Sequence, residues 1–108
     1  MKDQYYGKKD IEKAGKMYAL KPDIMKAFLE ADAKVFGDGS LDKKTKELIA
    51  VACAHITRCP YCIDAHVKGA KKAGATDEQI AEAIFVSITM SAGASLAHSC
   101  IAMEALEG

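Results

Sequence analysis

Residues 48–66 read Leu48-Ile49-Ala50-Val51-Ala52-Cys53-Ala54-His55-Ile56-Thr57-Arg58-Cys59-Pro60-Tyr61-Cys62-Ile63-Asp64-Ala65-His66. The first seven residues are apolar without interruption. A helix built on them has no solvent face, so they predict a central helix that starts near Leu41–Asp42 and runs toward Thr57. Ser40 is the expected cap, and Asp42 complements the positive end of the helix dipole. Pro60 suits the first position of a following helix, where its missing N–H costs nothing. Spacings of three and four then place Cys59, Cys62 and His66 in one column of that helix.

The flanking sequence repeats the helical theme. A short helix is expected over about residues 9–19, broken at Lys21-Pro22, because proline disfavours helical geometry in the residue before it. A second helix opens at Pro22, with Ile24, Phe28, Leu29 and Val35 as its apolar side, and ends at the loop Gly37-Asp38-Gly39-Ser40. The helix from Pro60 ends at Gly74. Thr76-Asp77-Glu78-Gln79 spells a capping box for another helix, with Ile80, Ile84 and Ile88 on its buried side. Gly93 is expected to break or kink that helix before a last segment reaching Leu106. Strand signals are almost absent, with no hairpin pair between alternating runs. The expectation is an all-α, single-domain chain of five to six helices over residues 1–108, with its core motif region at about 20–106.

Bulk properties bound the function. The 108 residues carry no formal net charge, so no electrostatic pull toward nucleic acid is expected. Residues 1–46 hold eleven Lys against eight acids and residues 47–108 hold four Lys/Arg against seven acids, an unevenness that reads as solvated helix faces. No P-loop, dinucleotide fingerprint or nucleic-acid motif is present. From Ala83 to Met103 no residue is charged, which is long enough to cross a bilayer. The serines, Thr89, Gly93 and His98 within it favour a buried core or subunit interface over a membrane. Ala92, Gly93, Ala94, Ser95 and Ala97 permit close helix approach, so an obligate homo-oligomer is expected. Met1-Lys2-Asp3-Gln4-Tyr5-Tyr6 has no apolar h-region, which sets cytoplasmic as the expected location. Four cysteines in a cytoplasmic chain point to catalysis or metal binding before structural disulfides.

Cys59 and Cys62 at a helix start have a physical reason to react, because free N–H groups and the dipole stabilise a thiolate there. By that argument Cys59, nearest the helix end, is the likelier thiolate, and Arg58 adds to the effect. Glu47 stands at the edge of the apolar run on one face with Val51, Ala54 and His55. It is either a surface acid paired with Lys43 or Lys44, or a buried carboxylate suited to proton transfer. His55 either approaches the thiols or bonds a backbone carbonyl. Tyr61 either lines a pocket or packs on a neighbour. Cys53 and Cys100 are expected as buried packing residues, and His98 as a core histidine. Cys59, Cys62 and His66, with Cys53 or His55, are also ligand types that zinc accepts.

Glu47, Cys59-Pro60-Tyr61-Cys62 and His66 together form Glu-x11-Cys-x-x-Cys-x3-His, flanked by Lys46-Glu47-Leu48-Ile49-Ala50 and by Gly69 through Ile84. This pattern resembles the carboxymuconolactone decarboxylase superfamily in its alkylhydroperoxidase D-like branch. The resemblance implies a helical subunit assembling as a trimer or hexamer and a thiol-dependent peroxidase or disulfide reductase without cofactor or metal. It implies a hydroperoxide substrate and a dithiol protein or small-molecule thiol as reductant. In the family's pattern Cys62 is deprotonated through His66 and Glu47, and Cys59 completes the disulfide. That assignment disagrees with the helix-end argument for Cys59. The best-known members carry a second histidine between the cysteines where this chain has Tyr61. The decarboxylase branch lacks the cysteine pair, so lactone decarboxylation is the alternative activity, beside a zinc module on the same cluster.

Overall fold

The structure, a computed structural model, describes residues 6–108; the reading of Met1–Tyr5 as free of a secretory signal lies outside them. Five helices follow one another: α1 Lys8–Tyr18, α2 Pro22–Phe36, α3 Lys43–Thr57, α4 Pro60–Lys72 and α5 Asp77–Glu107. Among the described residues there is no strand. The fold is all-α, as expected, at the lower helix count.

The helix ends show why the boundaries fall where they do. Pro22 and Pro60 open α2 and α4. The cap of α3 is Asp42, not the expected Ser40: its Oδ1 accepts the Thr45 N–H at 2.8 Å. That bond, the Thr45 side chain and the nearby Lys44 charge hold the Asp42 carboxyl below its ordinary range. α4 closes two residues earlier than expected, with Gly74 at φ 98°. The Ala75 N–H reaches Ala70 O at 2.9 Å and the Gly74 N–H reaches Lys71 O at 3.0 Å, a Schellman arrangement whose apolar partners Ala70 and Ala75 are both buried. The capping box opening α5 is present in both directions, Gln79 N–H to Thr76 Oγ1 at 3.1 Å and Thr76 N–H to Gln79 Oε1 at 3.0 Å.

Gly93 neither breaks nor kinks α5, which runs unbroken from Asp77 to Glu107. An interior glycine costs about 1 kcal/mol relative to alanine but removes no hydrogen bond, and Ala92 and Ala94 beside it are strong helix formers.

The α3–α4 hairpin and the first half of α5 make the core: Val51, Ala70, Ala75 and Ile80 are buried, with Leu48, Val67 and Ile84 against them. The apolar run of α3 is only partly enclosed, since Val51 and Ala54 are buried but Ile49 is half exposed. The expected Ile80–Ile84–Ile88 face also changes course. Ile88 is exposed, while Ser87 is buried and donates to Ile84 O at 2.6 Å, because α5 leaves the hairpin beyond this point. Ile24, Phe28, Leu29 and Val35 of α2 are exposed as well. Contrary to expectation, Cys53, Cys100 and His98 are exposed too, the last two on the half of α5 that lies beyond the hairpin. α5 is long and apolar enough to cross a membrane by length and composition, but its first half is committed to packing on α3.

Candidate functional site

The site is built on the elbow between α3 and α4. Arg58 takes the left-handed conformation (φ 58°, ψ 48°), and both its N–H and that of Cys59 return to Ala54 O, the latter at 3.1 Å. This turns the chain back within two residues and leaves Cys59 as the N-cap of α4. Its Sγ accepts the Cys62 N–H at 3.2 Å, so the helix end addresses the Cys59 sulfur. Cys59 and Cys62 are joined as a disulfide with Cα atoms 5.2 Å apart, inside the usual span for such bonds.

One turn past Cys62, His66 is half-buried. Its Nδ1 lies 2.7 Å from Glu47 Oε2. Glu47 is buried, only 6% exposed, so the reading of it as a surface acid does not hold, although its suggested partner Lys43 is present with Nζ 3.7 Å from Oε1. In the tautomer that carries its proton on Nδ1, His66 donates to Glu47 Oε2 and presents the Nε2 lone pair. The Phe36 ring, from the last turn of α2, stacks on the imidazole with centroids 5.0 Å apart and 16° between planes. Among the described residues no buried side-chain nitrogen or oxygen lacks a partner.

Gly69 makes this packing possible. A Cβ there would stand 2.7 Å from Glu47 Oε2 and 2.8 Å from its Cδ, so only glycine lets the carboxylate lie against α4. A cavity of about 460 Å³ opens beside the pair. Its wall is mostly apolar, from Val35, Phe36, Leu41 and Ile49, and both Cys62 and His66 face it. Cys59 is not part of that wall, whereas the free Cys53 is.

The structure therefore brings Glu47, His66, Cys62 and Cys59 to one place and leaves the two possible pocket residues, His55 and Tyr61, out. His55 Nδ1 is 2.7 Å from Val51 O, the backbone-bonded alternative, and does not line the cavity. Tyr61 turns outward: its hydroxyl donates to Gly7 O at 3.1 Å and its ring lies 5.7 Å from that of Tyr6. Neither lines the cavity that Cys62 and His66 face. Sequence reasoning missed Phe36 and Gly69. A glycine inside a helix, one turn beyond His66, was a signal of close approach. Among the described residues no group of three or more His, Cys, Asp or Glu side chains is arranged to hold a metal ion.

Comparison with known proteins bears on the family and the fold. The carboxymuconolactone decarboxylase family profile matches residues 22–105. A Paracoccus denitrificans protein, known only as uncharacterized protein 4 in the cox locus, is 58% identical over 81 residues, covering 75% of this chain and 73% of its own. The crystal structure of an apo carboxymuconolactone decarboxylase family protein from Legionella pneumophila superposes with a TM-score of 0.70 at 39% identity, covering 92% of this chain and 89% of the other. The alkyl hydroperoxide reductase AhpD of Mycobacteroides abscessus is 36% identical over 53 residues, covering 49% of this chain and 30% of that protein.

Proposed function

The chain belongs to the carboxymuconolactone decarboxylase family, and from that footing we propose that it is a thiol-dependent peroxidase of the alkylhydroperoxidase type. One observation carries the reading: Cys62 of a closed Cys59–Cys62 pair faces an apolar cavity together with a histidine that a buried carboxylate orients. The stretch shared with the mycobacterial AhpD supports it.

In the reduced protein His66 Nε2 takes the Cys62 proton, and the thiolate attacks the distal oxygen of a hydroperoxide. The O–O bond breaks, Cys62 becomes a sulfenic acid, and the alkoxide leaves as the alcohol with the proton from His66. The Cys59 thiol then displaces water from the sulfenic acid to form the disulfide. An external dithiol reduces the pair through a mixed disulfide. Cys62 is assigned the attack because it shares the cavity with His66; Cys59, held at the helix end, is the resolving thiol.

We also propose that the working form is a homo-oligomer, a trimer or hexamer, in the cytoplasm. The isolated subunit has 8662 Å² of accessible surface, against roughly 5,800 Å² for a compact monomer of this mass. Its radius of gyration is 17.9 Å, against about 13 Å for a compact chain of this length. The excess of roughly 2,800 Å² exceeds the ~800 Å² that one partner contributes to an interface of standard size. Exposed Phe28, Phe85, Leu96 and Ile101 supply the apolar character such faces need.

The decisive experiment counts free thiols in the reduced protein before and after one equivalent of alkyl hydroperoxide, with metal analysis of the same sample. Loss of two thiols, both mapped to Cys59 and Cys62, with one alcohol formed per protein supports the peroxidase. Unchanged thiols, or about one zinc per subunit held by the same cysteines, overturns it.

A further inference from the structure

Among the described residues, the wall of the cavity beside Cys62 and His66 holds no carboxylate and one ammonium, that of Lys46. The Lys46 side chain is half-buried, and its Nζ donates to Gly37 O at 2.6 Å, which fixes the cation at the C-terminal end of α2. An ammonium has three donors, and this bond uses one. The acids of this corner are engaged elsewhere. Asp38 Oδ1 accepts the Lys43 N–H, Asp42 Oδ1 accepts the Thr45 N–H, and Glu47 meets His66 and Lys43. Among the described residues Lys46 forms no ion pair. Residues 34–47 hold Lys34, Lys43, Lys44 and Lys46 against Asp38, Asp42 and Glu47, so the corner keeps an excess of positive charge.

We propose that Lys46 selects substrates that carry a carboxylate: the site takes an amphipathic organic hydroperoxide, with its apolar body in the cavity, its peroxide at Cys62 and its carboxylate on the Lys46 ammonium. This rests on the peroxidase reading of the same site. The chemical step is the one already given, with the O–O bond broken by Cys62 and the alcohol leaving. Lys46 touches only the carboxylate, which takes no part in the electron transfer.

Size, lining and reach all bear on the substrate. A cavity of about 460 Å³ falls within the roughly 300–1,000 Å³ of sites that take organic ligands. Val35, Phe36, Leu41 and Ile49 favour an apolar body there. Lys46 lies next to Glu47, which meets His66, and Cys62 is one turn along α4 from His66, a rise of about 6 Å. A ligand that bridges Lys46 and Cys62 therefore carries its carboxylate and its peroxide at opposite ends of its body, as a para-substituted ring does. Lysines also lay their stems on apolar surface and leave their heads in water, and Lys46 as a mere cap of α2 would be indifferent to what enters the cavity. A carboxylate on the ligand tells the two roles apart.

The test uses cumene hydroperoxide bearing a para-carboxylate and the methyl ester of the same molecule, with the intact protein and a dithiol reductant. Wild type should show a KM about 3- to 30-fold lower for the acid, at similar kcat, because the contact is made equally in the ground and transition states. In Lys46→Gln the acid-to-ester ratio of kcat/KM should fall by the same factor, and Lys46→Arg should retain most of it. High salt should erode the ratio in wild type, because screening weakens a half-exposed pair. Acid and ester are compared on the same variant, so damage to the fold or to the α2 cap cancels in the ratio. Equal values for acid and ester in wild type, a ratio indifferent to salt, or a ratio unchanged in Lys46→Gln overturns the assignment, as does a Lys46→Arg variant that loses it as fully as Lys46→Gln. Calorimetry with 4-isopropylbenzoate and its methyl ester on the disulfide form needs no turnover and should show the same preference in Kd. That preference without turnover of either hydroperoxide sinks the peroxidase reading alone; turnover of both hydroperoxides without any preference sinks the role of Lys46 alone.

Discussion

Replacing Gly69 with alanine adds one methyl group at the tightest contact in the site. The new Cβ would lie 2.7 Å from Glu47 Oε2, 2.8 Å from Cδ and 3.0 Å from Oε1, where an unstrained contact needs about 3.4 Å or more. The carboxylate must retreat by about 0.5–1 Å, and its 2.7 Å bond to His66 lengthens toward the ~3.5 Å at which a hydrogen bond is lost. Two effects then oppose each other. Alanine in the interior of α4 gains about 0.8–1 kcal/mol of helix propensity over glycine. Weakening a hydrogen bond to a charged, buried group costs about 1.5–3 kcal/mol. The loss wins, and Gly69→Ala should be destabilised by about 1–2 kcal/mol, or about 4–16 °C in Tm for a domain of this size. Peroxide turnover should fall by about 10- to 10³-fold as the base loses its orienting partner. The assay is thermal melting by circular dichroism beside single-turnover peroxide kinetics. In a Glu47→Ala background the clash is gone, so the same Gly69→Ala change should stabilise by about 0.5–1 kcal/mol, a reversal of sign that a double-mutant cycle reads directly. A Gly69→Ala single variant that is more stable than wild type and turns over peroxide within twofold of it would refute the close approach as the reason for the glycine.

Other outcomes follow from neighbouring features. Glu47→Gln should lower peroxide turnover by about 10- to 10⁴-fold while the far-ultraviolet spectrum stays helical; normal rates would remove Glu47 from the proton path. Arg58→Gly should raise the urea midpoint by an amount equivalent to about 1 kcal/mol, because the left-handed elbow strains any residue with a Cβ. Asp42→Asn keeps the α3 cap but removes its titration. The wild-type carboxyl is held low in the folded state, so its contribution is present above about pH 4 and lost as pH falls through the folded value. Melting curves between about pH 4 and pH 2 should therefore fall less steeply in Asp42→Asn than in wild type. Light scattering at micromolar concentration should give the mass of a trimer or hexamer; a monodisperse monomer would leave the large apolar faces of α2 and α5 without a purpose.

The sequence made some of this legible and hid the rest for identifiable reasons. The prolines, the Thr76–Gln79 box and the absence of strand periodicity encode local geometry, and the helices start where those residues require. Glu47 was ambiguous because helix periodicity records the face of a residue but not which helix covers it; its burial comes from α4, nineteen residues away at His66. The swap of Ser40 for Asp42 as cap is a two-residue question that either hydrogen-bonding side chain satisfies on paper. Cys53, Cys100 and Ile88 read as buried because apolar composition predicts enclosure without saying by whom, and no described segment of the chain covers them. Gly93 looked like a break because glycine marks both helix ends and tight helix contacts, and nothing within its own helix distinguishes the two.

The elbow at Arg58 has a consequence for how the site is inherited. By folding α3 directly onto α4, it places Lys43, Glu47, Cys59, Cys62, His66 and Gly69 in one uninterrupted stretch of chain, with the Phe36 ring and the Val35 and Leu41 side chains of the cavity wall lent from just before it. Sites assembled from distant segments can be moved only with their whole fold. This one travels as a cassette: any scaffold that sets an apolar helix against Val51 and Ala70 meets its packing requirement. Duplication, fusion or circular permutation outside residues 35–75 leaves the cassette whole, so recombination can trade what lies around it without rewriting its chemistry.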